Sequence, residues 1–424
     1  MSSSARVVER APKLDVAWVR QQFPALQQSV NGHPAVFFDA PGGTQVPQRV
    51  IDAIANYLST CNANTGGAFV TSRRTDQVIA DARAAMADFF NCAADEIVFG
   101  ANMTTLTFAL SRAIGRELKS GDELLVTCLD HDANVSPWVC LEERGVKVRT
   151  ADVNPSDCTL DMFDLSAKIR RNTRLVAVGW AANAVGTMSD VNEIVRLAHA
   201  AGAMAFIDAV HYAPHGPIDV RALDCDFLAC SSYKFFGPHL GILYGKREQL
   251  QRLRPYKLRA CTEQLPDRWE TGTQNHECLA GLAAAIEYIA DVGRHHDPSV
   301  GTQREAILSA YAVFQQHEHE LLEQLINGLL AIPGVTFYGI KDPAKFDRRT
   351  PTVAIRVEGH SPRELAAHLG ERSIFAWDGN YYAIDLAERL GVQTSGGMLR
   401  IGLAHYNTAE EVEGLLTELR ALAK

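Results

Sequence analysis

The chain has 424 residues, 47% of them apolar and 21% charged, with a formal net charge of −9. That length suits two or three domains, or one large domain with a smaller companion. The chain holds no long block of Lys or Arg and no uninterrupted apolar run of 18 residues, which argues against a nucleic-acid partner and a membrane span.

The first residues, Met1 to Arg6, contain no apolar stretch of the kind a secretory signal needs, so a cytoplasmic protein is expected. Nine cysteines are present, an odd number, with no C-x-x-C pair. Neither a disulfide framework nor a structural metal is expected from such a set.

In chain order, residues 1–30 read as an N-terminal arm with a short helix. Glu96 to Phe99 reads as a strand and Leu106 to Ile114 as a helix. Asp122 to Cys128 and Leu175 to Trp180 are further strands. Val191 to Ala201 is a helix stopped by Gly202, the residue type favoured just past a helix end. Met204 to Asp208 is a strand with an acid at its end, and Asp226 to Cys230 is another. Short apolar runs between helices point to buried parallel strands in an α/β layer fold.

The character changes after about Gly293. Residues 302–332 read as one long helix, with Leu308, Tyr311, Phe314, Leu321 and Leu325 near helical spacing. Val335 to Phe337 and Thr352 to Ile355 look like short strands. Pro362 to Leu369 and Glu410 to Leu422 look like helices. The expected division is therefore an arm over 1–30, a large domain over 31–298 and a smaller α+β domain over 299–424.

The segment Ser231-Ser232-Tyr233-Lys234-Phe235-Phe236-Gly237-Pro238 follows a buried strand. A lone lysine in a loop is ordinarily solvated. Apolar flanks instead suggest a desolvated amine, which a Schiff-base lysine requires. Asp208 ends a strand 26 residues earlier, a gap that fits a loop, a crossover and the next strand. Two neighbouring strand ends would bring this acid and Lys234 to one pocket. Pyridoxal-phosphate (PLP) chemistry uses such a pair: a lysine on the aldehyde and an acid on the pyridinium nitrogen. Thr104 and Thr105 open a helix after a strand, where free N–H groups suit a phosphate; a plain N-cap is the alternative. His131 follows the strand ending at Cys128, placed either to lie against a cofactor ring or on a surface loop.

Together these segments resemble the class V aminotransferases of PLP fold type I, and most closely their cysteine desulfurase and selenocysteine lyase branch. The resemblance runs from about Phe23 to the C-terminus. It implies a large, mostly parallel-sheet PLP domain and a smaller α+β C-terminal domain. It implies Lys234 as the Schiff-base residue, Ser231 and Thr104 as phosphate ligands and Asp208 as the pyridinium partner. His211 stands where the desulfurases usually have Gln, near the phenolic oxygen of PLP, and Asn183 matches their Asn beside that oxygen. His131 matches the histidine that stacks on the ring and carries a proton. Arg400 matches the arginine that holds the α-carboxylate of an amino-acid substrate, a role suited to its planar fork. Thr273 resembles the threonine that reaches the partner subunit's phosphate, which implies a homodimer with shared sites.

One segment departs from the resemblance. Where desulfurases carry a mobile loop with a reactive cysteine, this chain reads Phe375-Ala376-Trp377-Asp378-Gly379-Asn380-Tyr381-Tyr382-Ala383, and no cysteine follows Cys278. Tyr382 falls at or beside the cysteine position, and Trp377 stands where an arginine is usual. Cys261 is the thiol that could approach the site from elsewhere. The expected reaction is accordingly β-elimination of a C–S lyase type on cysteine or a cysteine derivative, with Lys234 as base and Trp377, Tyr381 and Tyr382 either shaping the substrate side and supplying an acid or only packing the loop. The alternatives are transamination, epimerisation or another PLP reaction on a small amino acid, and a non-catalytic PLP-binding partner protein.

Overall fold

The computed structural model describes residues 13–423, so the first twelve residues of the expected arm lie outside the described residues. Seven strands form one sheet: β1 (Ile97–Gly100), β2 (Glu123–Thr127), β3 (Lys147–Ala151), β4 (Thr173–Gly179), β5 (Met204–Asp208), β6 (Phe227–Ser231) and β7 (Gly241–Gly245). Their order is β1-β7-β6-β5-β4-β2-β3. The strands from β6 through β3 run parallel, whereas β7 is antiparallel to β6 and to β1. Every residue of β6 and β7 is buried, which explains their unbroken apolar sequences.

Two of these strands escape the sequence patterns. β3 is an edge strand reading Lys-Val-Arg-Thr-Ala and is half exposed, so it lacks the apolar run of its neighbours. β7 is bracketed by Gly241 and Gly245, residues that punctuate strands rather than announce them.

The helices α1 (Gln48–Thr60), α2 (Val70–Phe90), α3 (Met103–Gly115), α4 (His276–His296) and α5 (Gln303–Leu330) cover the sheet and link it to the C-terminal layer. The long helix expected over 302–332 is α5, begun by a capping box of Thr302 and Glu305. Where α4 meets α5, a Cβ on Gly293 would lie 1.8 Å from the Ala306 carbonyl oxygen. Only glycine allows the two backbones to approach this closely.

The C-terminal layer is a four-stranded antiparallel sheet of β8 (Val335–Tyr338), β9 (Thr352–Val357), β10 (Trp377–Gly379) and β11 (Met398–Gly402), in the order β8-β9-β11-β10. Leu321, Leu325, Ile355, Leu399, Ile401 and Leu415 fill its own core. Residues 36–39 cross into this layer. Val36–Phe37 pairs in parallel with Ile374–Phe375, and Asp39 bridges to Gly402.

Gly293→Ala should force α4 and α5 apart and destabilise the protein by about 2 kcal/mol, the usual cost of overpacking. Chemical denaturation would read this as a lower midpoint with an unchanged slope.

Candidate active site

Ligands of open α/β sheets sit beyond the carboxyl ends of the parallel strands. Here those ends deliver the expected chemistry to one place. Asp208 is the last residue of β5, in register with Gly179 of β4 and Ala229 of β6. Lys234 closes the turn after β6, and His131 and Asn183 lie in the loops after β2 and β4. A cavity of about 970 Å³ is lined by Thr104, His131, Asn183, Asp208, His211, Ser231, Lys234, Trp377, Tyr382 and Arg400. Thr273 does not line it. It lies with Cys261 on a second pocket of about 620 Å³. The chain therefore does not bring Cys261 to its own cavity.

The Lys234 amine donates to the Pro41 carbonyl at 2.5 Å and to the Gly42 carbonyl at 3.0 Å. It also lies 4.7 Å from the centroid of the Tyr233 ring. Burial, and then the Arg400 cation, lower its pKa to about 7, against the smaller opposing pull of Asp208 and Asp39. Burial raises Asp208 to about 6, although its carboxylate accepts from the Val210 N–H at 2.8 Å. Beside it, burial holds the Asp130 carboxyl well above the ordinary range, with the Gly179 N–H donating to it at 2.5 Å.

At the other end of the cavity, α3 begins. Its N-cap is Asn102, whose side chain accepts from Thr105 N, and the Ser231 hydroxyl accepts from Met103 N at 3.0 Å. Neither the backbone N–H nor the hydroxyl of Thr104 has a protein partner among the described hydrogen bonds, so these two groups and the Ser231 hydroxyl proton are left for an anion at the helix N-terminus.

Arg400 donates to the Asn183 carbonyl at 3.0 Å and stacks 4.2 Å over the Tyr381 ring, while its Nε is buried without a partner. The Asn183 side chain donates to the Tyr381 carbonyl at 2.8 Å, and its Oδ1 is likewise buried and unpaired. His131 Nδ1 accepts from Ala133 N at 3.0 Å. Its ring is tilted 32° to that of Tyr382, 5.3 Å away. Burial, followed by the Lys234 cation, lowers His131 to about 4. The Tyr382 carbonyl accepts from Asp132 N at 2.7 Å, which draws the 377–383 segment onto the His131 loop.

Sequence reasoning passed over Asp39. Burial raises its pKa to about 6, its Oδ1 is buried and unpaired, and Arg400 and Lys234 are its charged neighbours. An acid after an apolar pair and before Pro41-Gly42-Gly43 was the available signal. Asp130 entered the sequence reading only as the neighbour of His131.

The residues fit PLP. They offer an amine, an opposed acid, an imidazole face, an anion cradle and unpaired buried donors and acceptors. Lys234 also gives a test independent of cofactor. Its folded pKa lies below the unfolded value near 10.4, so from about pH 7 to 10 the unfolded chain holds a proton that the native chain lacks. Stability of the cofactor-free protein should rise with pH in that window, by up to roughly 1.4 kcal/mol per pH unit. Denaturant titrations of Lys234→Met should lose that slope; an unchanged slope would assign it to other groups.

The chain matches the aminotransferase class-V family over residues 36–415. It is 33% identical, over 96% of its length, to a cysteine desulfurase of Synechococcus elongatus, and spans 64% of that relative. It is 32% identical, over 95% of its length, to a cysteine desulfurase of Pectobacterium atrosepticum, and spans 97% of that relative. Among solved structures, the apo cysteine desulfurase of Thermococcus onnurineus superposes with a TM-score of 0.86 at 26% identity, over 98% of this chain and 99% of that one. A cysteine desulfurase of Escherichia coli superposes at 0.82, also at 26% identity, over 97% and 99%. By these matches, and by the sheet and cavity that accompany them, the chain belongs to the class-V aminotransferase family of PLP-dependent enzymes.

Proposed function

We propose that this protein is a C–S lyase, removing sulfur from cysteine or an S-substituted cysteine by β-elimination. The observation that carries the reading is the Lys234 amine, whose pKa near 7 makes a neutral base available at ordinary pH, on the same cavity as Asp208 and Arg400.

In this reading Lys234 would hold the aldehyde carbon of PLP, and Asp208 would hold the pyridinium nitrogen. Ser231, Thr104 and the N-terminus of α3 take the phosphate, joined by the partner subunit's Thr273 in a homodimer. Asn183 and His211 serve the phenolic side, and His131 lies against the ring. Once bound there, PLP supplies an electron sink for the carbanion formed at the substrate Cα.

The remaining work belongs to the chain. Arg400 clamps the α-carboxylate with a planar fork. Lys234 Nζ, once the substrate amine has displaced it, would remove the Cα proton, and the Cβ–S bond would break with its electron pair leaving on sulfur. With cysteine the overall change is cysteine plus water to pyruvate, ammonia and hydrogen sulfide. His131 is neutral above about pH 4, so it passes a proton on only after accepting one. Trp377 and Tyr382 border the substrate side at the cavity mouth.

The missing thiol supports elimination over desulfuration. The relatives are named cysteine desulfurases, yet the 375–383 segment has no cysteine. The reading needs no sulfur-accepting residue. The nine described thiols are all free, in keeping with a cytoplasmic setting.

Product analysis of the PLP-loaded protein with cysteine, cystine and S-substituted cysteines should give pyruvate and ammonia. Alanine with released sulfur would replace this reading by a desulfurase, and conversion of the cofactor to its amine form would replace it by a transaminase. Arg400→Gln should raise KM about 10- to 100-fold, the value of losing hydrogen bonds to a charged partner. Lys234→Ala should remove turnover while the fold, read by circular dichroism, is retained.

A further inference from the structure

His211 sits on the cavity wall, 4% exposed, with Lys234, Asp208 and Asn183 on the same cavity. Its Nε2 lies 3.1 Å from the Thr350 hydroxyl, while Nδ1 has no protein partner among the described hydrogen bonds. Thr350 comes from the start of the C-terminal layer, 139 residues away in sequence.

The position of Thr350 is tightly set. Its N–H donates to the Gly186 carbonyl at 2.8 Å, and Met188 N donates to the Arg348 carbonyl at 2.9 Å. Arg349, fully buried, ties the same strip to the Asn183 loop by donating to the Val185 carbonyl at 3.1 Å and the Thr352 carbonyl at 2.5 Å. A Cβ on Gly186, at φ +80°, would fall 2.3 Å from the Thr352 carbonyl oxygen, so the loop and strip meet backbone to backbone.

The proton count then decides a tautomer. The Thr350 hydroxyl is 3.2 Å from the Gly186 carbonyl and 3.1 Å from His211 Nε2. A hydroxyl has one proton, a carbonyl can only accept, and an imidazole nitrogen can do either. If the hydroxyl donates to Gly186, Nε2 must donate to it, and both contacts are satisfied. If the hydroxyl donates to Nε2 instead, two oxygens face each other at 3.2 Å with no proton between them.

We propose that Thr350 is a positioning residue that fixes His211 as the tautomer protonated at Nε2, leaving Nδ1 as a hydrogen-bond acceptor for the cavity. The inference rests on the PLP reading of that cavity. An acceptor there favours whichever neighbouring group carries a proton, such as the cofactor phenol or the substrate ammonium. A glutamine amide at this position could instead donate. Burial, and then His215, Arg400 and Lys234, keep the imidazole uncharged. Glu318 is occupied by His215 Nδ1 at 2.9 Å, and Arg349 beside Thr350 adds only positive charge. Of the carboxylates on the cavity beside it, Asp208 is assigned to the pyridinium nitrogen in the PLP reading, and burial raises the pKa of both Asp208 and Asp130 toward the neutral form.

The test is a pH titration of the visible chromophore of the loaded protein. Thr350→Val leaves the buried Nε2–H without an acceptor and should push the proton to Nδ1. The chromophore midpoint should then fall by about one pH unit, a tenfold change in proton affinity, and Thr350→Ser should restore it. A midpoint unmoved or raised in the valine variant overturns the proposal. Nitrogen-15 spectra of the wild-type holoenzyme give a second decision that does not depend on the variant folding. Protonated Nε2 and bare Nδ1 on His211 support the assignment, and the opposite pattern overturns it. Failure of any visible chromophore to form would count against the PLP reading, while the nitrogen spectrum would still decide the tautomer.

Discussion

The Lys234 amine is kept out of water without being given a counter-ion in contact. Its hydrogen bonds go to two backbone carbonyls, Pro41 and Gly42, which stabilise an N–H without supplying a full negative charge. Asp208 and Asp39 attract the ammonium only as nearby charges, and the Arg400 cation opposes them. The balance brings the amine to a pKa of about 7, so the neutral form is substantially populated near pH 7. A solvated loop lysine would be protonated there and useless as a base. The rest of the architecture can be understood as what is needed to hold this amine there. Parallel strands end together, so the Asp208 and Lys234 elements are adjacent. Gly42 has no side chain, which lets the Trp377 indole lie directly on the carbonyl turn; a Cβ there would meet Trp377 Nε1 at 2.5 Å.

The cavity is also a junction of three chain crossings. Residues 36–39 stitch to 374–375 and 402, residues 182–188 zip to 348–352, and Tyr382 is anchored on Asp132. The second and third join loops of the seven-stranded sheet to the layer that carries Arg400, and the first brings the Pro41–Gly42 turn between that layer and Lys234. Arg349 holds the second crossing with carbonyl acceptors alone. Burial lowers its pKa to about 9, so the cation is costly where it lies. Removing the side chain would leave several buried carbonyls unsatisfied, a penalty of its own. A buried cation of this kind fixes geometry more than it adds stability.

What could be read from the sequence follows from this arrangement. Asp208 ends an apolar strand and Lys234 follows the next, so local pattern pointed to one pocket for the two, whereas His131 stayed open between a ring face and a surface loop until the resemblance was drawn. The parallel layer and the long C-terminal helix were visible for the same reason. Thr350 and Asp39 were not, because their significance lies in partners far along the chain: His211 for the first, Arg400 and Lys234 for the second. The antiparallel β7 and the polar edge strand β3 gave no periodic signal, since one is framed by glycines and the other is half solvated. Cys261 is close in sequence to Thr273 and shares its pocket, but sequence proximity said nothing of the distance between that pocket and Lys234.

The 377–383 segment bears most directly on the choice of reaction. Tyr381 and Tyr382 both adopt left-handed backbone, at φ 57° and 60°, a conformation costing non-glycine residues of order 1–3 kcal/mol each. That strain is held by identifiable bonds. Asn183 donates to the Tyr381 carbonyl, Asp132 to the Tyr382 carbonyl and Tyr382 N to the Asn380 side chain, while the Tyr381 hydroxyl donates to the Met398 carbonyl. A loop that carries a nucleophile to a substrate and then to an acceptor has to leave the site between the two events. This one is tied by two of these bonds to the loops that present His131 and Asn183 and by a third to β11, and it brings phenol rings instead of a thiol. In the β-elimination proposed above, sulfur would leave as a small molecule, and this segment, which offers no thiol to carry it, suits that outcome.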